Sequence, residues 1–189
     1  MCYTVCCKDI IAHFSGKSNV FGRKKRREMA KQEEKTNAMR MLDAAGIPYT
    51  TESYEVDESD LSGVHAASVL GLDPDTMFKT LVAKGDKRGY LVFVIPVAEE
   101  LDLKKCARAA GDKRVELIPV KDLLPLTGYL RGGCSPVGMK KKFPTYFDET
   151  VLLCDNIYVS AGQRGRQLCV GVPRFLEFLS AETADLTVV

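Results

Sequence analysis

No apolar run in this sequence approaches the roughly 18 residues that a membrane span needs, the longest candidate being Tyr90 to Val97, so a soluble protein is expected. The start lacks a secretory pattern, because Lys8 and Asp9 interrupt Met1 to Cys7 at once. No Cys-x-x-Cys pair occurs, and His13 and His65 have no companion at ligand spacing, so a metal site built on Cys2, Cys6 and Cys7 is disfavoured. A Gly-x-Ser-x-Gly elbow and a credible Cys-His pairing are also missing, which leaves no obvious protein nucleophile. An enzyme built on this chain needs help from its substrate. No internal repeat appears.

What remains is a chain of 189 residues, 46% of them hydrophobic, enough for one domain around one core. Seven cysteines is an odd number. Cys106, Cys134, Cys154 and Cys169 lie far apart in apolar segments, where a reduced thiol behaves as a small hydrophobe, and this points to a reducing cytoplasm. The net charge of +2 is uneven, since residues 1–28 carry +5 and the remainder −3. A mildly acidic domain does not grip nucleic acid over a wide face, so any contact with a nucleic acid would centre on a terminus. Gly22 to Glu28 is a basic block and Met29 to Glu34 is almost wholly polar. Residues 1–34 therefore read as a basic, disordered extension, in preference to a nucleic-acid-binding arm or a nuclear signal, with the folded domain over 35–189. Met29 is a candidate natural start.

From Asn37 the pattern turns helical, with Ala38, Met41, Leu42 and Ala45 on one face, Thr36 or Asn37 as cap and Gly46 as stop. Ile47 to Val56 reads as a strand. Ser62 caps a second helix that ends at Gly71, and Phe78–Ala83 with Leu91–Pro96 form a hairpin. Asp102 caps a third helix, with Lys104, Lys105 and Arg108 on its solvated side. A short strand over Val115 to Ile118, a helical turn before Pro125, strands at Val151–Cys154, Ile157–Ser160 and Gln167–Val172, and a helix from Pro173 complete the pattern. Three to four helices with about seven strands make an α+β fold with a mixed, curved β-sheet and flanking helices.

Three segments carry the candidate chemistry. Thr127 to Gly138 holds Gly128, Gly132, Gly133 and Gly138 around Pro136, a run whose backbone can approach a ligand closely or simply turn between strands. In Met77 to Ala83 a single lysine, Lys79, sits in an otherwise apolar strand. Its ammonium either snorkels to solvent or meets the oxygens of a site. Ile157 to Gly165 is a strand that runs into glycines. The hydroxyls of Thr80 and Ser160 are open to two readings, site groups or plain strand residues.

These segments, in this order, resemble the YbaK/EbsC family of aminoacyl-tRNA deacylases, which is related to the editing domain of prolyl-tRNA synthetase. The resemblance spans Thr36 to Leu179. It rests on Ser53-Tyr54-Glu55, Phe78-Lys79-Thr80-Leu81, Pro96-Val97, Leu101-Asp102-Leu103-Lys104-Lys105, Thr127-Gly128-Tyr129-Leu130, Gly132-Gly133-Cys134-Ser135-Pro136 and Tyr158-Val159-Ser160. Each piece is weak alone, and their joint order is specific.

The resemblance implies a trans-editing deacylase that clears misacylated tRNA, foremost Cys-tRNA(Pro). Lys79 becomes the critical residue, holding phosphate or ribose oxygens and neutralising charge on the ester. Gly132 and Gly133 supply backbone N–H groups for the oxyanion, and Ser160 orients the oxyanion or the substrate amine. Tyr54, Thr80, Ser135, Pro136, Gly162 and Gln167 are the implied substrate contacts. The mechanism implied is attack by the thiol of a mischarged cysteine on its own ester, forming a thiolactone. Cys134 is rejected as nucleophile, since related proteins do not rely on a cysteine there. Some relatives carry an acidic residue at Gln167, so amino acid preference is open. The implied partners are the aminoacyl-tRNA acceptor end and prolyl-tRNA synthetase, with no cofactor, metal or membrane. The alternative is a catalytically silent regulatory module that binds an aminoacyl-adenosine or nucleotide terminus.

Overall fold

A computed structural model of the chain describes residues 34–188. The basic extension, apart from Glu34, lies outside the described residues, as do Cys2, Cys6, Cys7 and His13. From Lys35 onward the described chain forms one unit.

Helix α1 (Asn37–Ala44) starts at Thr36, whose hydroxyl accepts the Met39 N–H at 3.3 Å. It buries Ala38, Met39 and Leu42. Met41, expected on that face, is exposed, because helical spacing from Ala38 and Leu42 admits either methionine and packing selects Met39. Strand β1 (Tyr49–Ser53) and helix α2 (Gly63–Leu70) follow, with Ser62 as the cap of α2 and Gly71 in the left-handed conformation at its end. Strands β2 (Phe78–Gly85) and β3 (Gly89–Pro96) form the expected hairpin, paired from Phe78 with Pro96 to Gly85 with Gly89. Helix α3 (Leu103–Ala109) is capped by the Asp102 carboxylate, which accepts from the N–H groups of Lys104 and Lys105. The Lys105 side chain is not on a free solvated face, since its ammonium donates to Asp185 and to the Thr187 carbonyl, both at 2.8 Å.

Strand β4 (Val115–Leu117) leads into helix α4 (Val120–Thr127), which continues through Pro125 and does not stop before it. Proline removes one backbone donor there. The Thr127 hydroxyl donates to the Leu123 carbonyl at 2.7 Å, and Lys140 donates to the carbonyls of Leu124 and Pro125 at 3.4 and 3.3 Å. Strand β5 (Thr145–Asp148) replaces the strand expected at Val151–Cys154, which is instead a 3-10 turn over Glu149–Leu153. Asp148 explains the change. Its carboxylate accepts from the N–H and the hydroxyl of Thr150, holding the turn, and its other oxygen accepts from the Leu186 N–H at 3.0 Å. Strands β6 (Asn156–Ser160) and β7 (Arg166–Gly171), helix α5 (Val172–Leu179) and an unanticipated strand β8 (Glu182–Ala184) complete the described chain.

The α+β class is as expected, but the single sheet of about seven strands is replaced by eight described strands in two sheets with five helices. A five-stranded mixed sheet runs β4-β2-β3-β5-β8, and a three-stranded antiparallel sheet runs β1-β7-β6. Every residue of β3 from Leu91 to Pro96 is buried, with Val92 and Val94 facing one core and Leu91, Phe93 and Ile95 facing another. Covering both faces of a central strand in this way explains why β3 reads as an unbroken apolar run.

One feature of β2 positions the site. Strand β4 pairs only with Ala83 to Gly85, and the smaller sheet, which packs against β2 through β6, is joined to it by a single parallel bridge, between Met77 just before β2 and Tyr158. Among the described residues the edge from Phe78 to Leu81 therefore has no strand paired along it.

Candidate functional site

A cavity of about 380 Å³ fills that gap. Its floor is the N-terminal half of β2, where Lys79 and Thr80 sit on opposite sides of the strand and both reach the space. Tyr54, just past β1, with Ser160 and Gln167 of the smaller sheet forms one wall, Gly132 and Cys134 of the glycine loop another, and Ser62 and Gly63 at the start of α2 a third. Leu117, Ile118, Val120 and Leu123 close the remaining side.

Lys79 is half-buried, and its ammonium donates to the Val97 carbonyl at 3.0 Å. Burial pushes its pKa below the ordinary lysine value, while the carboxylates of Glu100 and Glu99 partly oppose the fall. Thr80 is 9% exposed, and its Oγ1 is buried without a hydrogen-bond partner. Such an orphan costs free energy unless a ligand or water meets it. The carbonyl of Val82 accepts the Ile118 N–H at 3.1 Å, so strand alternation turns the backbone groups of Thr80 toward the same open edge.

Ser160 and Gln167 face each other across β6 and β7 in the sheet register. Gln167 is buried, and the Ser160 oxygen accepts the Gly162 N–H at 3.3 Å. Tyr54 is placed by its own N–H, which donates to the Gly165 carbonyl at 2.9 Å.

The glycine loop is held from inside. The Thr127 oxygen accepts the Tyr129 N–H at 3.0 Å, the buried Tyr129 hydroxyl donates to the Val137 carbonyl at 2.6 Å, and the Ser135 oxygen accepts the Val137 N–H at 3.3 Å. Gly132 adopts a φ of 83°, which favours glycine, and sits between Leu61 and Arg164. At Gly133 a Cβ would lie 3.0 Å from the Arg164 nitrogen, so glycine lets the loop and the Gln163–Arg164 backbone approach closely. The Gly133 N–H donates to the Leu130 carbonyl at 3.0 Å. Of the two N–H groups expected for the oxyanion, only that of Gly132 is left unengaged among the described residues.

Lys79, Thr80, Tyr54, Gly132, Ser160 and Gln167 thus share one cavity, whereas four other expected residues stand behind it. Ser135 is fully buried within the loop. Pro136 lines a second cavity of about 180 Å³ with Lys141, Lys142 and Phe143. Gly162 packs on the Tyr129 ring, and Gly133 on the Gln163–Arg164 backbone. These residues shape the wall and do not form its surface.

Cys134 does reach the cavity, but burial pushes its thiol up to about 12. A thiol held protonated at neutral pH is a poor nucleophile. Among the described residues no three His, Cys, Asp or Glu side chains gather as a metal set, and no helix is long and apolar enough to cross a membrane.

Sequence reasoning passed over Arg131, Leu61, Gly63 and the apolar side of β4 and α4. It also passed over the Glu58–Arg164 ion pair, at 2.9 Å, although Arg164 connects three segments by also donating from Nε to the Arg131 carbonyl at 2.8 Å. No local signal marks these residues, since their roles come from contacts between segments far apart in the chain.

A half-buried lysine shares this cavity with the glycine loop and with a thiol that burial keeps protonated. Residues 61–178 match the aminoacyl-tRNA editing domain, and the chain belongs to that family of aminoacyl-tRNA deacylases. Among its relatives is an Enterococcus faecalis protein provisionally named Cys-tRNA(Pro)/Cys-tRNA(Cys) deacylase EbsC. It is 46% identical over 157 residues, which cover 83% of this chain and 96% of that protein. Two crystal structures share the fold. One, of a protein provisionally named a trans-editing enzyme for prolyl tRNA synthetase, has a TM-score of 0.69 at 24% identity and covers 83% of this chain and 100% of that one. The other, of a hypothetical protein, has a TM-score of 0.74 at 23% identity and covers 81% of this chain and 100% of that one.

Proposed function

We propose that this protein is a trans-editing deacylase that removes cysteine from Cys-tRNA(Pro), with the substrate thiol as nucleophile. The observation that carries this reading is the position of Lys79, which lines the same cavity as Gly132 and Ser160 while the only thiol there among the described residues, Cys134, stays protonated.

In this reaction the substrate sulfur forms a bond to its own ester carbonyl carbon. The bond from that carbon to the ribose oxygen breaks, the thiol proton passes to the leaving oxygen, and cysteine departs as a thiolactone. The protein holds the acceptor-end adenosine bent over the open edge of β2. Lys79 lowers the cost of negative charge on the ester, the Gly132 N–H takes the oxyanion, and Thr80 Oγ1 finds in the substrate the partner it otherwise lacks. Tyr54, Ser160 and Gln167 orient the aminoacyl group. Ser135, Pro136, Gly133 and Gly162 hold these groups in place from behind the wall.

The chain's likeness to the E. faecalis protein supports the choice of cysteine. Prolyl-tRNA synthetase, which charges tRNA(Pro), is the upstream partner on this reading, and the cytoplasm is the compartment. Purified protein assayed against Cys-, Ala-, Ser- and Pro-tRNA tests the assignment. Fast release of cysteine with slow release of serine, whose hydroxyl is a weaker nucleophile, is the expected result. Release of alanine as fast as cysteine overturns the thiol mechanism, because alanine has no nucleophile to offer.

A further inference from the structure

The charges on the cavity wall are all of one sign. Lys79 and Arg131 line it, and among the described residues no aspartate or glutamate does. The two cations differ in depth, since Lys79 is half-buried on the floor and Arg131 is exposed at the rim. They also differ in what holds them. The Lys79 ammonium is engaged by the Val97 carbonyl, whereas the Arg131 guanidinium has no hydrogen-bond or carboxylate partner among the described residues.

The backbone of Arg131 is nonetheless fixed. Arg164 Nε donates to its carbonyl at 2.8 Å, and the Arg164 charge is met by Glu58 at 2.9 Å. Of these two neighbouring arginines, one is neutralised and serves as a strut, and the other is positioned by that strut with its charge unopposed. A fixed backbone under a free guanidinium is pre-organised for an anion, and a planar fork of donors suits a phosphodiester.

We propose that Arg131 binds the phosphodiester that links the terminal nucleotide of the substrate to its neighbour. This deepens the proposed function and rests on it, since a nucleoside ester seated over Lys79 needs its 5′ phosphate to leave by the rim. Arg131 is then a specificity residue that distinguishes an ester on a nucleic acid end from the same ester on a free nucleoside. The charge-free apolar side formed by Leu117, Val120 and Leu123 leaves the phosphate no competing cation on that wall.

The test compares two small substrates, 3′-O-cysteinyl-adenosine and the same ester carrying a 5′-phosphate, with the wild-type protein, Arg131→Ala and Arg131→Lys. In the wild type the phosphate is expected to raise kcat/KM about tenfold, the effect of one charge-assisted hydrogen bond. Arg131→Ala should abolish that ratio and Arg131→Lys should restore part of it, while the thermal midpoint stays unchanged because the side chain is exposed and makes no hydrogen bond or ion pair among the described residues. A ratio that survives in Arg131→Ala overturns the phosphate assignment alone. A wild-type protein that cleaves neither ester nor Cys-tRNA overturns the deacylase reading and this one with it.

Discussion

The ammonium of Lys79 donates to the carbonyl of Val97 at 3.0 Å, a residue just beyond the end of the strand that pairs with its own. The bond keeps the lysine inside the cavity, where it could otherwise have snorkelled outward. It also leaves the ammonium with further donors for a substrate, since an ammonium has three and the structure uses one.

The charge of this lysine sets a pH limit on binding. Its pKa lies below the ordinary 10.5, chiefly through burial, with Glu100 and then Glu99 pulling it back up. The cation is present below the lowered value and is lost as pH rises through it. Affinity for an uncleavable aminoacyl-adenosine amide should fall on the alkaline side before pH 10.5. Replacing Glu100 with Gln removes a support for the charge, so the fall should move to lower pH. Isothermal titration at several pH values reads both effects.

Cys134 should be dispensable for chemistry. A buried thiol held near 12 contributes no thiolate at neutral pH. Cys134→Ala is expected to keep kcat within about threefold of the wild type, with any loss arising from packing. A loss of three orders of magnitude with the fold intact would assign it the nucleophilic role.

The Tyr129 hydroxyl holds the glycine loop to itself through the Val137 carbonyl. Burial raises its pKa to about 12, so it remains a donor throughout the neutral range. Tyr129→Phe leaves a buried carbonyl unpaired and should cost about 1–3 kcal/mol in urea unfolding. Deacylation should fall as well, because Gly132 belongs to that loop.

Gly63 is a steric requirement. A Cβ there would lie 2.6 Å from the Val97 Cβ, closer than the neighbour can yield without moving. Gly63→Ala should destabilise by about 1–3 kcal/mol despite the better helix propensity of alanine. Displacing Val97 also displaces the acceptor of Lys79, so kcat/KM should fall more than the stability change alone explains.

Caps and glycines made most of the fold legible. Ser62, Asp102 and Gly71 each mark a helix boundary where the sequence places it, and of Thr36 and Asn37, both open as the first cap, the structure uses Thr36. The hairpin of β2 and β3 was equally plain, as two apolar runs around Lys84 to Gly89. The misses share a cause. Val151 to Cys154 has a strand's composition, but Asp148 bonds Thr150 and folds the segment into a turn whose Leu152 and Leu153 remain exposed. Strand β8 is three mostly polar residues that pair only because β5 offers an edge. Of the residues that the family resemblance singles out, Lys79, Thr80, Ser160 and Gln167 on regular strands, with Tyr54 and Gly132, come together in one cavity. Ser135 and Gly162 carry the same motif signal, yet the first is turned inward to the Val137 N–H and the second backs onto Tyr129. Arg131 stood within the glycine segment and was missed, because nothing in the sequence reveals that Arg164 is paired with Glu58 and it is not.

The most direct test of the account is release of cysteine from Cys-tRNA(Pro) by the wild-type protein and by Lys79→Ala, with folding of both checked by circular dichroism. The account predicts rapid release by the wild type and a loss of at least about a hundredfold in the variant, as expected for removing a charge that acts on the ester in the transition state. Equal rates in two folded proteins would contradict it.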